Sequence, residues 1–89
     1  MEIRYPARVE EQTDGSFLVT FIDLPDTFTE GKTKEEALFN ASEVLSAILA
    51  WRLDEAKEIP VPSPKLRGLQ YIAPDAKTQA AMHAHGIVR

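Results

Sequence analysis

Cysteine is absent from this 89-residue chain. That excludes a disulfide framework, a thiolate metal site and a thiol nucleophile. No apolar run approaches the roughly 20 residues that a membrane-crossing helix needs. No charged start followed by an apolar stretch opens the chain, so no secretion signal is expected and the expected location is cytoplasmic. Histidine occurs only twice and glycine four times. Gly15, Gly31, Gly68 and Gly86 lie too far apart to form a phosphate-cradling loop. Apolar residues make up 44% and charged residues 27%, ordinary for a globular protein and too apolar for disorder. A chain this short forms one small domain, which buries only about two thirds of its unfolded surface.

Negative charge dominates and is unevenly placed. Residues 1–60 carry 13 acidic and 6 basic side chains, net −7, whereas residues 61–89 carry 1 acidic and 4 basic, net +3. An acidic body repels a phosphate backbone and favours a basic partner, speeding the encounter. A solvated acidic surface without a partner is the plainer alternative.

The stretch from Asp23 to Leu53 organises the rest. Pro25 stops or edges a strand, because it fixes φ and lacks an N–H. Gly31 marks a turn. Thr33 and Glu36 have capping-box spacing, and Glu35 and Glu36 suit the positive end of a helix dipole. The spacing predicts a helix over residues 33–53. One stripe, of Ala37, Leu38, Ala41, Val44, Leu45, Ile48 and Trp51, is expected on a sheet. Trp51 reads as core or as the rim of a contact. Phe39, Ala50 and Leu53 lie near the opposite side, with Ser42 and Ser46 between. This second seam is covered by the C-terminal segment or serves as an oligomer contact.

Strands are expected before the helix. Ile3, Tyr5, Ala7 and Val9 alternate with Glu2, Arg4, Arg8 and Glu10, a half-buried strand over residues 3–9. Pro6 suggests an edge, or a stretch whose partner does not need that N–H. Asp14-Gly15 signals a hairpin. Residues 17–22 form a second strand with Phe17, Val19 and Phe21 on one face, and residues 27–29 a third. Ile59-Pro60-Val61-Pro62-Ser63-Pro64 is an extended connector. Residues 66–72 supply a fourth strand, a short helix follows from Pro74 or Asp75 through Met82, and Gly86 ends it. The expected fold is α+β: a small antiparallel β-β-β-α-β sheet with one main helix on one face and a short C-terminal helical segment.

Candidate chemistry fails simple tests. His83 and His85 diverge if helical and lack a third ligand, so no metal site is assigned. Asp14, Asp23 and Asp26 lie near strand ends, where carboxylates can bind Mg²⁺. However, Asp14 serves its turn, and Asp23 and Asp26 flank Leu24-Pro25. A metal-dependent nuclease is thus a weak alternative. Ser16, Ser42, Ser46 and Ser63 have no adjacent His–acid signature. No cofactor is implied.

Several motifs in order carry a resemblance. They are Ile3-Arg4-Tyr5-Pro6, Asp14-Gly15-x-Phe17, Phe21-x-Asp23-Leu24-Pro25, Thr29-x-Gly31-x-Thr33-x-Glu35-Glu36-Ala37 and Ile59-Pro60-x-Pro62-Ser63. Together they resemble the N-terminal domain of HicB-type antitoxins, over about residues 3–73. The resemblance implies a partial ribonuclease-H-like sheet without catalytic role, which binds HicA, a small basic mRNA-cleaving toxin, and covers its active surface. It divides the chain into a toxin-binding domain, 1–73, and a helical tail, 74–89. In that family a helix-turn-helix or ribbon-helix-helix domain follows. Residues 71–77 resemble the lead-in to the former, and the 12 residues after them are too few for its two helices, so specific DNA binding is not expected of these residues. On this reading Asp23, Leu24, Pro25, Phe28, Thr29 and Glu30, with Glu10, Glu11, Glu35 and Glu36, contact the partner. A homo-oligomer through Phe39, Ala50 and Leu53, without a toxin, is the rival.

Overall fold

The computed structural model describes residues 2–64 and 67–86. In chain order the elements are β1 (Tyr5–Glu11), β2 (Phe17–Phe21), β3 (Phe28–Gly31), α1 (Lys34–Asp54), β4 (Gln70–Ile72) and α2 (Ala76–Ala84). The strands form one antiparallel sheet in the order β3-β2-β1-β4. The expected α+β arrangement is therefore present, with several of its details changed.

The first change concerns Pro6. β1 is a central strand, and Pro6 is buried opposite Tyr71 of β4. An edge position does not apply. Proline is tolerated because its N–H side faces Ile22, one residue past the end of β2, where the ladder is ending and the Pro6 carbonyl still accepts from Ile22 N–H at 3.1 Å. Its missing donor leaves that contact intact.

Gly31 is the second. It closes β3 opposite Phe17 instead of turning the chain. A side chain here would put Cβ 2.4 Å from the Ala37 nitrogen. The glycine is required by close approach: the first turn of α1 crosses the end of β3 almost backbone to backbone. Gly15, by contrast, has φ +88° in the β1–β2 turn. There the Asp14 carboxylate accepts from Ser16 N–H at 2.9 Å and Ser16 Oγ at 2.6 Å, and these bonds hold its pKa below the ordinary value. β3 begins one residue late, because Thr27 N–H closes a turn onto Leu24 O at 2.8 Å, and it continues through Glu30 and Gly31.

α1 starts as expected. Thr33 Oγ1 accepts from Glu36 N–H at 3.1 Å, and Glu36 Oε1 returns to Lys32 N–H at 2.7 Å. Its buried face is rotated from the expected stripe. Ala37, Ala41, Leu45, Ser46 and Leu49 are buried, Leu38, Val44 and Ile48 only partly, and Trp51 is 51% exposed. The small residues at 37 and 41 let the helix sink onto the sheet, which turns the i, i+4 ridge of 37, 41, 45 and 49 inward. Opposite them lie Tyr5, Ala7, Val19, Phe21 and Leu24, joined by Ile3, Ile72 and Met82.

α2 shares this core. Met82 is fully buried and Thr78 nearly so. Gln79 exchanges two bonds with the Ile3 backbone, accepting from its N–H at 2.9 Å and donating to its carbonyl at 2.6 Å. Ser42 Oγ donates to Ala73 O at 2.7 Å, and Ser46 Oγ accepts from Asp75 N–H at 2.8 Å. The two serines thus fasten the β4–α2 junction to α1. Asp75 caps α2 by accepting from Thr78 N–H at 2.8 Å, which lowers its pKa. The boundary expected at 73–74 falls between β4 and α2, and both sides share one core. Of the expected fourth strand, Leu66 lies outside the described residues, as do Ile87, Val88 and Arg89.

Gly31→Ala is expected to lower folding stability by about 1–3 kcal/mol through overpacking against α1. A urea denaturation midpoint equal to the parent's would contradict the close approach.

Candidate functional site

Cross-strand register builds one side of the sheet. Val9 pairs with Val19 and Val19 with Thr29, and Val19 is fully buried under α1. Their neighbours therefore point to the opposite face. Glu10, Leu18 and Glu30 form one row across β1, β2 and β3, and Arg8, Thr20 and Phe28 form the next. Strands about 4.8 Å apart put the Glu10 and Glu30 backbones about 10 Å from each other, with Leu18 between. Both glutamates are exposed, and among the described residues no cation pairs with either. Phe28 is 61% exposed. The result is a row of two acids about an apolar centre, with the base Arg8 in the neighbouring row, all on rigid strands.

The other expected contact residues scatter. Leu24 is 1% exposed and belongs to the core, so the expectation that it touches a partner is corrected: the turn folds its side chain inward beside Phe21. The Asp23 carboxylate accepts from Ser63 N–H at 2.9 Å and from Ser63 Oγ at 2.5 Å, which ties the proline-rich connector to the end of β2. Pro25 is exposed at the turn, and Thr29 faces inward, half-buried. Glu11 is exposed at the end of β1. Glu35 and Glu36 are exposed in the first turn of α1, with Glu36 already engaged in the cap.

Phe39 is 66% exposed and Ala50 is exposed, whereas Leu53 packs partly against the core. Ala50 and Leu53 also line a groove of about 500 Å³ between α1 and α2. The C-terminal segment therefore covers part of the second seam and leaves Phe39 outside it.

Metal chemistry finds no support in the geometry. Asp14 sits in the β1–β2 turn and Asp23 and Asp26 in the β2–β3 turn, at opposite ends of β2. Among the described residues, no three His, Asp or Glu side chains converge as metal ligands. His83 and His85 are both exposed at the end of α2. No helix among the described residues is long and apolar enough to cross a membrane.

Residues 4–79 match the family described as HicB_like antitoxin of bacterial toxin-antitoxin system. The chain belongs to the HicB-like antitoxin family. It is 36% identical over 62 residues to Antitoxin HicB 1 of Photorhabdus laumondii and 32% identical over 62 residues to Antitoxin HicB of Escherichia coli K12. Each alignment covers 70% of this HicB-like chain, but only 40% and 45% of those proteins. It therefore spans less than half the length of these relatives. UPF0150 protein Ta0767 of Thermoplasma acidophilum is 34% identical over 58 residues, covering 65% of the chain and 84% of that protein.

Residues that the sequence did not single out hold the connector after α1 in place. Tyr5 OH donates to Pro60 O at 2.7 Å and Tyr71 OH to Pro64 O at 2.9 Å, so two tyrosines grip the connector's carbonyls. Arg52 Nη1 donates to Glu58 O at 2.8 Å. Burial pushes the Tyr5 phenol from an ordinary 10 up to about 12; the Asp23 charge adds to the rise and Arg52 opposes it. The neutral phenol is favoured in the folded state. Its contribution to stability is complete below pH 10 and is lost as the pH climbs towards about 12. Tyr5→Phe is expected to cost about 1 kcal/mol at neutral pH, and its stability should fall less steeply than the parent's over that alkaline range. Parallel stability curves in the two proteins would contradict a buried, bonded phenol.

Proposed function

We propose that this HicB-like chain binds a small, basic, mRNA-cleaving toxin of the HicA type and neutralises it by covering its RNA-facing surface, in the cytoplasm and without catalysis. The observation that carries this reading is the Glu10–Leu18–Glu30 row beside Phe28, an acidic row with an apolar centre in a member of an antitoxin family. A ribonuclease surface shaped for phosphate is rich in Lys and Arg, and two carboxylates fixed on a sheet complement it. Pro25, Glu11 and Glu35 extend the contact at its margins. Asp23 acts indirectly, by holding the connector. Protein contact, and not operator DNA, is the task assigned to residues 4–79.

A second reading is self-association, favoured by the 66% exposure of Phe39. Solution mass separates the two: a HicB-like oligomer that persists without toxin and dissociates on Phe39→Ala supports it.

Co-expression with a basic HicA-type toxin should restore growth and give a stable complex. Growth arrest that persists although both chains are made would count against neutralisation. Reversing Glu10 and Glu30 to Lys together should slow association by about tenfold or more at low salt, with dissociation little changed, because exposed charges act mainly on the encounter. Stopped-flow mixing at two ionic strengths provides the measurement.

A further inference from the structure

A groove of about 320 Å³ lies between the free edge of β3 and α1. Its lining is Asp26, Thr27 and Phe28 on one side and Val44, Ala47, Ile48 and Trp51 on the other. Positions 44, 48 and 51 follow helical spacing, so the Trp51 ring projects from the same ridge as the groove floor. Two of the largest exposed apolar side chains of the molecule, Phe28 and Trp51, meet solvent here. Both sit on fixed backbone: Phe28 pairs with Thr20, and Thr27 is held by bonds to Leu24 O and from Phe21 N–H.

Charge decides what fits. The acid in the groove is Asp26, Glu30 lies four residues further on, in β3, and the chain carries net −4. Aromatic faces with a carboxylate nearby attract a cationic side chain. A second copy of this chain would bring acid against acid. Strand pairing across the edge is also restricted, since Asn40 Nδ2 already donates to the Glu30 carbonyl at 3.0 Å.

We propose that this groove receives one Arg or Lys side chain of the basic partner, seated against Trp51 with its charge towards Asp26, Phe28 forming only the rim at the strand edge. This deepens the toxin-binding reading and rests on it. The acidic row on the sheet would speed the encounter, and the aromatic groove would slow dissociation.

Trp51 is the sole tryptophan of the chain and reports on its own site. The experiment titrates the purified, full 89-residue chain with a basic HicA-type toxin, its own tryptophans replaced by phenylalanine. Trp51 emission should change on binding. Trp51→Ala should weaken the complex by tenfold or more, mostly through faster dissociation, while Trp51→Phe retains most of the affinity. Phe39→Ala should leave it unchanged. Circular dichroism and the thermal midpoint of each variant verify folding. Parent-like affinity of the folded Trp51→Ala variant overturns the groove and leaves toxin binding standing. Absence of any complex with the parent chain overturns both. A toxin-free dimer that Trp51→Ala dissociates overturns the cationic occupant, because the groove would then hold a second copy.

Discussion

The approach of α1 to the sheet governs the rest of the molecule. Gly31 and Ala37 meet at backbone distance, and Ala41 continues the same shallow ridge. Small side chains gain less by burial than large ones. What they contribute is proximity. With the helix lowered onto β2 and β3, Leu45 and Leu49 share one buried core with Val19, Phe21 and Leu24. The same lowering sets the rotation of α1 and so determines which of its side chains remain outside. The core and the exposed groove are two consequences of one constraint.

Polar groups then secure what the core alone would hold weakly. A domain of this size has a narrow stability margin, so its long connector and second helix need fastening. Asp23 and Tyr5 grip the connector at Ser63 and Pro60, Tyr71 at Pro64, and Ser42, Ser46 and Gln79 fix the β4–α2 segment. Each bond satisfies backbone groups that would otherwise compete for water. Acidic residues are thereby divided into two populations. Asp14, Asp23, Glu36 and Asp75 are committed to turns, connector and caps. Glu10 and Glu30 are directed away from the core, where a charge can act on a partner.

Local chemistry made much of this readable in advance. The Asp14-Gly15 turn, the alternation of Tyr5, Ala7 and Val9, the Thr33–Glu36 cap and the Asp75 start of α2 all depend on neighbours within a few residues. The candidate surface was only partly readable. Glu10, Phe28 and Glu30 were identified as contact residues, but alternation alone cannot tell that Leu18 stands between the two acids, because register depends on pairing. Leu24 and Trp51 exchanged places with expectation: the leucine of an apparent surface loop is core, and the tryptophan of an apparent core stripe is half outside.

By itself the sequence determined which segments become strand, turn and helix, the excess of negative charge and the order of motifs that marks a HicB-like antitoxin, since these follow from short-range geometry and composition. Tertiary structure alone decided that β1 is central with Pro6 inside, that α1 turns Leu49 inward and Trp51 outward, and that Ser42, Ser46 and Gln79 work as fasteners. Those outcomes depend on how closely two backbones can approach, and that distance is fixed by Gly31 meeting Ala37 across the fold.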